Sequence, residues 1–193
     1  MRLDLGCGNR PKAGYLGVDS CNLPQSDVER YQHKRIHVLW DLRVLPWPFL
    51  NNSVDAIYSD HFFEHLCIED VQKAMEEIHR ICKKDAPVEI RVPHFSGFTN
   101  FYEFHKTSWR HNSFAEFTNN VGMFDSPSQF QMCDVRINLV NRQSPKNRRV
   151  TKFYLWNYPM EWLVNRMPLV YETTGWCHIF PAWEIIFKMK VGK

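Results

Sequence analysis

The sequence predicts an α/β fold whose sheet is mostly parallel and ends in an antiparallel strand near the C-terminus. Three observations support this prediction. Five short apolar segments in the first half are separated by loops or by a helix, which is typical of parallel sheets. The clearest helix lies between Ile68 and Cys82, where apolar residues recur every three or four positions. A last apolar segment, residues 183–191, supplies the closing strand.

The first three strands are short and end in polar or glycine-rich segments. RLDL (residues 2–5) is apolar and runs into GCGNRPKAG, where glycine and proline indicate a turn. YLGVD (residues 15–19) is the second strand. After a polar stretch, IHVLWDL (residues 36–42) is the third.

The fourth and fifth strands lie on either side of the predicted helix. A loop rich in proline and asparagine, residues 45–53, precedes the fourth strand, VDAIYSD (residues 54–60). The helix ends near Lys83 and Lys84, whose charges are favourable at a helix C-terminus. The fifth strand, VEIRVPHF (residues 88–95), is mostly apolar, so we expect both of its faces to be buried.

Beyond residue 95 the pattern is less regular. Residues 112–121 form a predicted helix with Asn112 or Ser113 as its cap, and residues 160–167 form another. Residues 134–140 alternate between apolar and polar side chains and predict a strand. With the closing strand, these elements complete the predicted fold.

Composition and charge narrow the class of protein. The chain has 193 residues, 44% apolar and 23% charged, which is ordinary for one globular domain. A net charge of +3 is too small to indicate nucleic-acid binding by itself. The six cysteines include no C-x-x-C pair, which favours reduced thiols over a disulfide framework or a zinc ribbon. Apolar runs are too short for a membrane span, and the N-terminus resembles a strand rather than a signal peptide. Because the cysteine pattern favours reduced thiols, we expect a cytoplasmic protein.

Polar and small residues collect at the predicted strand ends, where ligands bind in open parallel sheets. Gly6 and Gly8 let the backbone approach a ligand, and their amides could face a negative or polar group. Asp19, at the end of the second strand, could hold a ribose diol through two hydrogen bonds. Asp41 could accept a hydrogen bond from an exocyclic amine. Together with residues 59–61, these ends predict a nucleoside-shaped pocket with a polar far end.

The residues LDLGCG, GVD, DL and VDAIYSDHFFEHL resemble the class I S-adenosylmethionine-dependent methyltransferases, specifically the type-11-like group with a shortened glycine motif. The resemblance is strong over residues 2–93 and looser in VPHF, EFHKTSWRHNSF and VYETTGWCHIFPAWEIIF. It implies a Rossmann-like fold and S-adenosylmethionine as cofactor. Because relatives often accompany polysaccharide or sugar biosynthesis, it also implies methyl transfer to a small-molecule or carbohydrate-like acceptor.

The resemblance also implies roles for single residues. Asp4, Gly6 and Gly8 would cradle the methionine part of the cofactor, Asp19 would bind the ribose, and Asp41 with the Leu42 backbone would contact the adenine. The complete implied cofactor set is Asp4, Gly6, Cys7, Gly8, Asp19, Asp41, Leu42 and Ser59. Residues 1–193 would form a single methyltransferase domain, with residues 1–94 as its cofactor-binding half and residues 95–193 as the acceptor-side cap and closing strands.

Three departures from the family pattern bear on this expectation. Arg10 replaces the usual third glycine, and KKDAP lacks the Pro-Gly-Gly often found after the long helix. Only residues 9–14 separate the glycine motif from the second strand, whereas a parallel crossover normally needs a dozen or more. Either the first helix is cut to a turn or the second strand is misplaced. The loop 20–35 is a candidate lid, and a non-catalytic scaffold or binding subunit with the same fold stays an alternative.

The segment HFFEH, His61 to His65, matches the H-x-x-E-H pattern of zinc hydrolases. That chemistry needs both histidines on one long helix, with the glutamate between them on the same face. Here the segment starts at a strand end, and no third ligand is identifiable. We therefore expect no metal among the site residues, with a zinc hydrolase as a remote alternative.

Three histidines are candidates for a general base: His61, His94 and His105. A methyl-acceptor hydroxyl must lose its proton, and a histidine with a near-neutral pKa suits that role. Each could instead satisfy a backbone group, and transfer could rest on alignment alone, since the sulfonium is already activated. His65 is more typical of a packed, hydrogen-bonded histidine.

A basic segment contains Arg142, Lys146, Arg148, Arg149 and Lys152. It could bind phosphate on RNA or on a nucleotide-sugar, although a solvated loop is the simpler interpretation. An RNA methyltransferase is therefore the nearest enzymatic alternative. The expected partner is a small-molecule or sugar-linked acceptor, with nucleic acid possible but not favoured.

Overall fold

The computed structural model describes residues 1–8, 10–20, 37–118, 129–140 and 157–193. Its seven strands are β1 (Arg2–Leu5), β2 (Leu16–Asp19), β3 (His37–Leu39), β4 (Ala56–Asp60), β5 (Pro87–Pro93), β6 (Gln129–Asn138) and β7 (Glu184–Gly192). Its α-helices are α1 (Ile68–Ile81), α2 (Asn157–Arg166), α3 (Pro168–Thr173) and α4 (Trp176–Ile179). In this part of the chain, none of the helices is long and apolar enough to cross a membrane.

All seven strands form one sheet in the order β3-β2-β1-β4-β5-β7-β6. Strands β1 to β5 pair in parallel, and β7 is antiparallel to both β5 and β6. The predicted fold class, a mostly parallel Rossmann-like sheet with an antiparallel C-terminal strand, is therefore confirmed. The chain reverses its direction of travel across the sheet at β1, which lies between β2 and β4. In open α/β sheets a crevice forms beyond the carboxyl ends of the strands at such a point.

The connection from β1 to β2 contains no helix in its described residues, 6–8 and 10–15. Strand β2 is nevertheless placed as predicted, so the first helix of the fold is reduced to a turn. Hydrogen bonds donated by backbone amides hold this connection against the sheet. The Gly6 amide donates to the carbonyl of Val18 at 2.9 Å. The Lys12 amide donates to Oδ2 of Asp4 at 2.6 Å. These anchors replace the packing that a crossover helix would provide.

The two faces of the sheet differ in chemistry because side chains alternate along each strand. On one face Leu3 and Leu5 belong to the core that α1 covers with its apolar side chains. On the other face, direct cross-strand neighbours form a polar row across five strands. The members of this row, in order, are Asp4, Tyr58, Glu89, Lys188 and Asp134.

The turn between β1 and β2 covers part of the polar face. The ammonium group of Lys12 lies 3.5 Å from the centre of the Tyr58 ring. The rings of Tyr15 and Tyr58 are 6.0 Å apart between centroids. The Lys12 cation and the Tyr15 ring therefore shield Tyr58, which is 8% exposed.

In the second half, packing overrides the local pattern. The helix predicted at residues 112–121 is wrong over its described part, where only the short 3₁₀ turn Ala115–Phe117 forms. The Phe114 ring stacks on Trp109 at 4.9 Å and lies 4.7 Å from the ring of Phe187. These contacts draw Phe114 into the core, and the segment folds around it. The predicted helix at residues 160–167 corresponds to α2.

Candidate active site

A cavity of about 330 Å³ lies at the carboxyl ends of β1 and β2. Five of the residues expected to bind the cofactor line it: Gly6, Gly8, Asp19, Asp41 and Leu42. The other lining residues are Ser20, Arg43, His61, Phe62, His65 and Leu66. The strand ends therefore converge as the sequence predicts, and we call this space the first cavity.

Glycine is present at positions 6 and 8 for different physical reasons. Both Gly6 and Gly8 have positive φ, 66° and 53°. A Cβ on Gly6 would lie 2.3 Å from the Phe62 ring, so Gly6 is needed for the packing of Phe62. A Cβ on Gly8 would meet nothing within 4 Å, so the space beside Gly8 is open.

Two carboxylates at the first cavity already accept internal hydrogen bonds. Oδ2 of Asp19 accepts from the Gly8 amide at 2.7 Å. The sequence predicts a ligand group opposite this amide, whereas in the structure the amide's partner is Asp19 itself. Asp41 accepts from the Arg43 guanidinium at 2.9 and 2.7 Å, and this hydrogen bonding lowers the pKa of Asp41.

Three expected cofactor residues, Asp4, Cys7 and Ser59, do not line this cavity. Asp4 is 2% exposed, and its Oδ1 has no hydrogen-bond partner. Burial raises the pKa of Asp4 to about 6. The Ser59 hydroxyl donates to the carbonyl of Leu5 at 3.0 Å, which joins β4 to β1. Asp4 and Ser59 thus support the strand ends without lining the first cavity.

A second cavity of about 280 Å³ adjoins the first. Both cavities are lined by His61 and His65, which therefore stand at their junction. The remaining lining residues of the second cavity are Glu64, Thr99, Tyr102, His105, Trp183 and Glu184. Two of the three candidate bases, His61 and His105, are brought together here.

His61 has the most constrained position of the histidines. Its backbone has a φ of 55°, and its amide donates to the carbonyl of Arg91 at 2.9 Å. Nδ1 lies 3.0 Å from Oε1 of Glu64, and Nε2 lies 3.9 Å from Oε2 of Glu184. Burial acts to lower the pKa of His61, but the hydrogen bond and negative charge of Glu64 outweigh it and raise that pKa. Burial raises the pKa of Glu184.

The other two candidate bases differ in environment. His94 is fully buried, with Nδ1 2.7 Å from the Ser96 hydroxyl and Nε2 3.2 Å from Oε1 of Glu172, and it lines neither cavity. His105 lines the second cavity, and burial lowers its pKa.

Sequence reasoning missed Glu184 and Tyr102. Glu184 reaches the second cavity because β7 pairs with β5, where it lies opposite Pro93. That pairing joins segments far apart in the chain, so no local pattern marks it. Glu64 was visible in HFFEH, but only as the base of a zinc site.

HFFEH does not form the zinc-hydrolase arrangement. His61 precedes the short 3₁₀ turn Phe63–His65 and faces Glu64 and Glu184. His65 faces the carbonyl of Phe104, 3.3 Å from its Nδ1, and the ring of His105. The two histidines therefore do not share one helical face.

Comparison with known proteins finds similarity to methyltransferases. Residues 3–88 match the family model described as a methyltransferase domain. No curated protein matches the sequence.

Solved structures share the fold at low identity. An S-adenosylmethionine-dependent methyltransferase from Archaeoglobus fulgidus is 17% identical with a TM-score of 0.59, covering 98% of this chain and 85% of its own. The YcgJ protein from Bacillus subtilis is 15% identical with a TM-score of 0.59, covering 100% and 91%. Phosphoethanolamine N-methyltransferase 2 from Haemonchus contortus, in complex with S-adenosylmethionine, is 18% identical with a TM-score of 0.56, covering 99% and 48%.

The fold is Rossmann-like, and the crevice at its strand ends is where such folds bind their ligands. With the family match over residues 3–88, the chain has the features of a class I S-adenosylmethionine-dependent methyltransferase. The first cavity fits that cofactor on two structural grounds. Open space borders Gly8 in the turn after β1, and the Asp19 and Asp41 carboxylates border the same cavity.

Proposed function

We propose that the protein methylates a hydroxyl group of a small-molecule or carbohydrate-like acceptor bound in the second cavity. The observation that carries this proposal is the junction of the two cavities at His61 and His65. A donor in the first cavity and an acceptor in the second would meet at that junction. Holding two reactants side by side supplies a large part of the rate enhancement in such reactions.

In the first cavity, we assign the ribose hydroxyls to Asp19 and the adenine to Asp41 and the Leu42 backbone. We assign Asp4 to the methionine end of the cofactor. It would act indirectly, by anchoring the turn after β1. The bound cofactor supplies a methyl group already activated by a sulfonium. Binding and alignment are therefore the main tasks of the chain.

The second cavity suits a small polar acceptor. Its volume of about 280 Å³ is at the lower end of typical ligand pockets. Tyr102 and Trp183 provide aromatic faces, while Glu64 and Glu184 provide carboxylates. Aromatic faces beside hydrogen-bond acceptors suit the apolar and hydroxyl-bearing sides of a sugar ring.

Among the candidate bases, we assign to His61 the removal of the proton from the acceptor hydroxyl. When Nδ1–H donates to Glu64 Oε1, the lone pair lies on Nε2, and the Glu64 bond fixes the orientation of the ring. His94 is less suited because it lines neither cavity. We also propose a cytoplasmic location, as expected from the six cysteines, which include no C-x-x-C pair.

Methyl transfer from S-adenosylmethionine labelled in its methyl group tests the acceptor class. The purified protein is incubated with nucleotide-sugars, with oligosaccharides and, separately, with RNA. We expect label in the carbohydrate-like fraction, at a rate that falls in His61→Gln. Label that appears only in RNA would contradict the proposal, more so if Arg148→Ala/Arg149→Ala abolished salt-dependent RNA binding. Those two arginines lie outside the described residues.

A further inference from the structure

We propose that Glu64, His65 and His105 form a binding site for one divalent first-row transition-metal ion, of which Zn²⁺ is the reference case. One ligand atom from each residue lies within 4.8 Å of the other two. All three residues line the second cavity. The site departs from the sequence expectation of no metal.

Glu64 provides the strongest reason for a cation. The residue is 1% exposed, and its Oε1 lies 3.0 Å from Nδ1 of His61. Its Oε2 is buried and has no hydrogen-bond partner in the structure. A buried carboxylate oxygen without a partner is costly, and a coordinated cation removes that cost.

His105 repeats this pattern with a nitrogen atom. Its Nδ1 is buried and has no hydrogen-bond partner. The rings of His105 and His65 meet edge to face, with centroids 4.9 Å apart. A metal ion that accepts the Nδ1 lone pair would give this atom a partner. The same ion would give Oε2 of Glu64 its partner.

His65 is oriented as metal-binding histidines usually are. Its Nδ1 lies 3.3 Å from the carbonyl oxygen of Phe104, to which it can donate a hydrogen bond. That bond places the lone pair on Nε2. Metal ligands typically donate their second ring N–H to a carbonyl or carboxylate in this way. His61 has the equivalent role for Glu64, because it contacts Oε1 and leaves Oε2 to the ion.

The donor set selects the kind of ion. Two imidazoles and one carboxylate suit Zn²⁺, Fe²⁺ or Co²⁺, whereas Mg²⁺ and Ca²⁺ prefer oxygen ligands throughout. Three protein ligands leave a coordination position open, and Thr99, Tyr102 and Trp183 line the same cavity. An acceptor hydroxyl bound there would be oriented and made more acidic. This last step rests on the proposed function, while the ion site does not.

A neighbouring cluster, Asp60, His61 and Glu184, is the competing location. Two of its carboxylate oxygens accept hydrogen bonds from protein partners: Asn138 donates to Oε1 of Glu184 at 2.7 Å, and the Tyr58 hydroxyl donates to Oδ2 of Asp60 at 3.1 Å. The proposed site also differs from the H-x-x-E-H interpretation of the sequence. Glu64 is a ligand here rather than a base, and only His65 of that motif's two histidines binds the ion.

The test is a titration of chelator-treated full-length protein with Co²⁺, followed by visible d–d absorption, with Zn²⁺ as competitor. We expect one Co²⁺ per chain, displaced by Zn²⁺. Affinity should fall by about 100-fold or more in His65→Ala and in His105→Ala, because second-shell changes alone cost about 10- to 100-fold. His178→Ala, which changes an exposed histidine outside the cluster, should bind as the parent does.

Two results would overturn the inference: no Co²⁺ binding by the parent protein, or binding unchanged in both His65→Ala and His105→Ala. Loss confined to Glu184→Gln would also overturn it, by moving the ion to the neighbouring cluster. His105→Asn is the second variant if His105→Ala fails to fold. Binding of S-adenosylhomocysteine is measured on the same samples. If the protein binds S-adenosylhomocysteine but no metal ion, only the metal-site inference is rejected. If it binds the metal ion but not S-adenosylhomocysteine, only the proposed function is rejected.

Discussion

The carboxylate of Asp19 accepts a hydrogen bond from the backbone amide of Gly8 at 2.7 Å. This bond ties the end of β2 to the turn after β1, where a helix would normally stabilise the crossover. Asp4 holds the same turn from behind through the amide of Lys12. Two carboxylates therefore stabilise the shortened connection, and one of them, Asp19, also lines the first cavity.

Gly6 and Gly8 provide a matched pair for testing the shape of this turn. Because both have positive φ, Gly→Ala at either position costs about 1–3 kcal/mol of stability. Gly6→Ala should cost more, since only there would the added methyl collide with Phe62. Urea unfolding of the two variants checks the order. Equal losses would show that the Phe62 contact does not constrain Gly6.

Asp4 should make stability depend on pH. Its pKa is raised from 3.8 to about 6 in the folded state, so between these values the folded state binds more protons than the unfolded state. The contribution of Asp4 is therefore fully present below pH 4 and is lost as pH rises through 6. Relative to Asp4→Asn, the parent should lose about 3 kcal/mol between the two limits. Urea unfolding of both proteins at pH 5 and pH 7.5 measures about half of this loss, because pH 5 lies between the two pKa values, and parallel pH profiles would contradict the prediction.

Asn165 should stabilise the outer edge of the sheet. Its side chain accepts from the Ile137 amide at 2.7 Å and donates to the Ile137 carbonyl at 2.8 Å, as a neighbouring strand would. Asn165→Ala leaves both backbone groups of a fully buried residue unpaired. We expect a loss of about 1–3 kcal/mol in the free energy of unfolding. Trp162→Ala, on the exposed side of α2, is the control and should cost less.

His61 is expected to act in the transfer step. Replacement by glutamine should lower kcat by about 10²- to 10⁴-fold, the range for loss of a general base. His111→Gln, in a histidine that lines neither cavity, should retain the parent rate. Single-turnover methyl transfer measures both. A His61→Gln rate within a few-fold of the parent would assign catalysis to alignment alone.

Much of the sheet follows from local patterns in the sequence. Short apolar segments identify the parallel strands, and the ends of those strands predict that Gly8, Asp19 and Asp41 converge. That prediction works because the geometry of a parallel sheet places all carboxyl ends at one edge. The same reasoning identified His61, which follows directly after β4.

Features that depend on distant packing did not follow from the sequence. Glu184 reaches the site through the antiparallel pairing of β7 with β5. Helices α3 and α4 are too short to show a clear period, and Gly175, with a φ of 79°, separates them. The role of Gly6 depends on its contact with Phe62, which follows β4 and is far from Gly6 in the sequence. The basic segment from Arg142 to Lys152 and the loop 20–35 lie almost wholly outside the described residues.

Calorimetric titration with S-adenosylhomocysteine tests the central claim most directly, because it measures occupation of the first cavity without knowledge of the acceptor. We predict micromolar binding to the parent protein, loss of binding in Asp19→Ala, and parent-like binding in Asp134→Ala, an exposed carboxylate on β6. Circular dichroism of each variant establishes that it is folded. Absence of binding by the folded parent protein, with or without Zn²⁺, would contradict the account and favour a scaffold that keeps the fold without the cofactor.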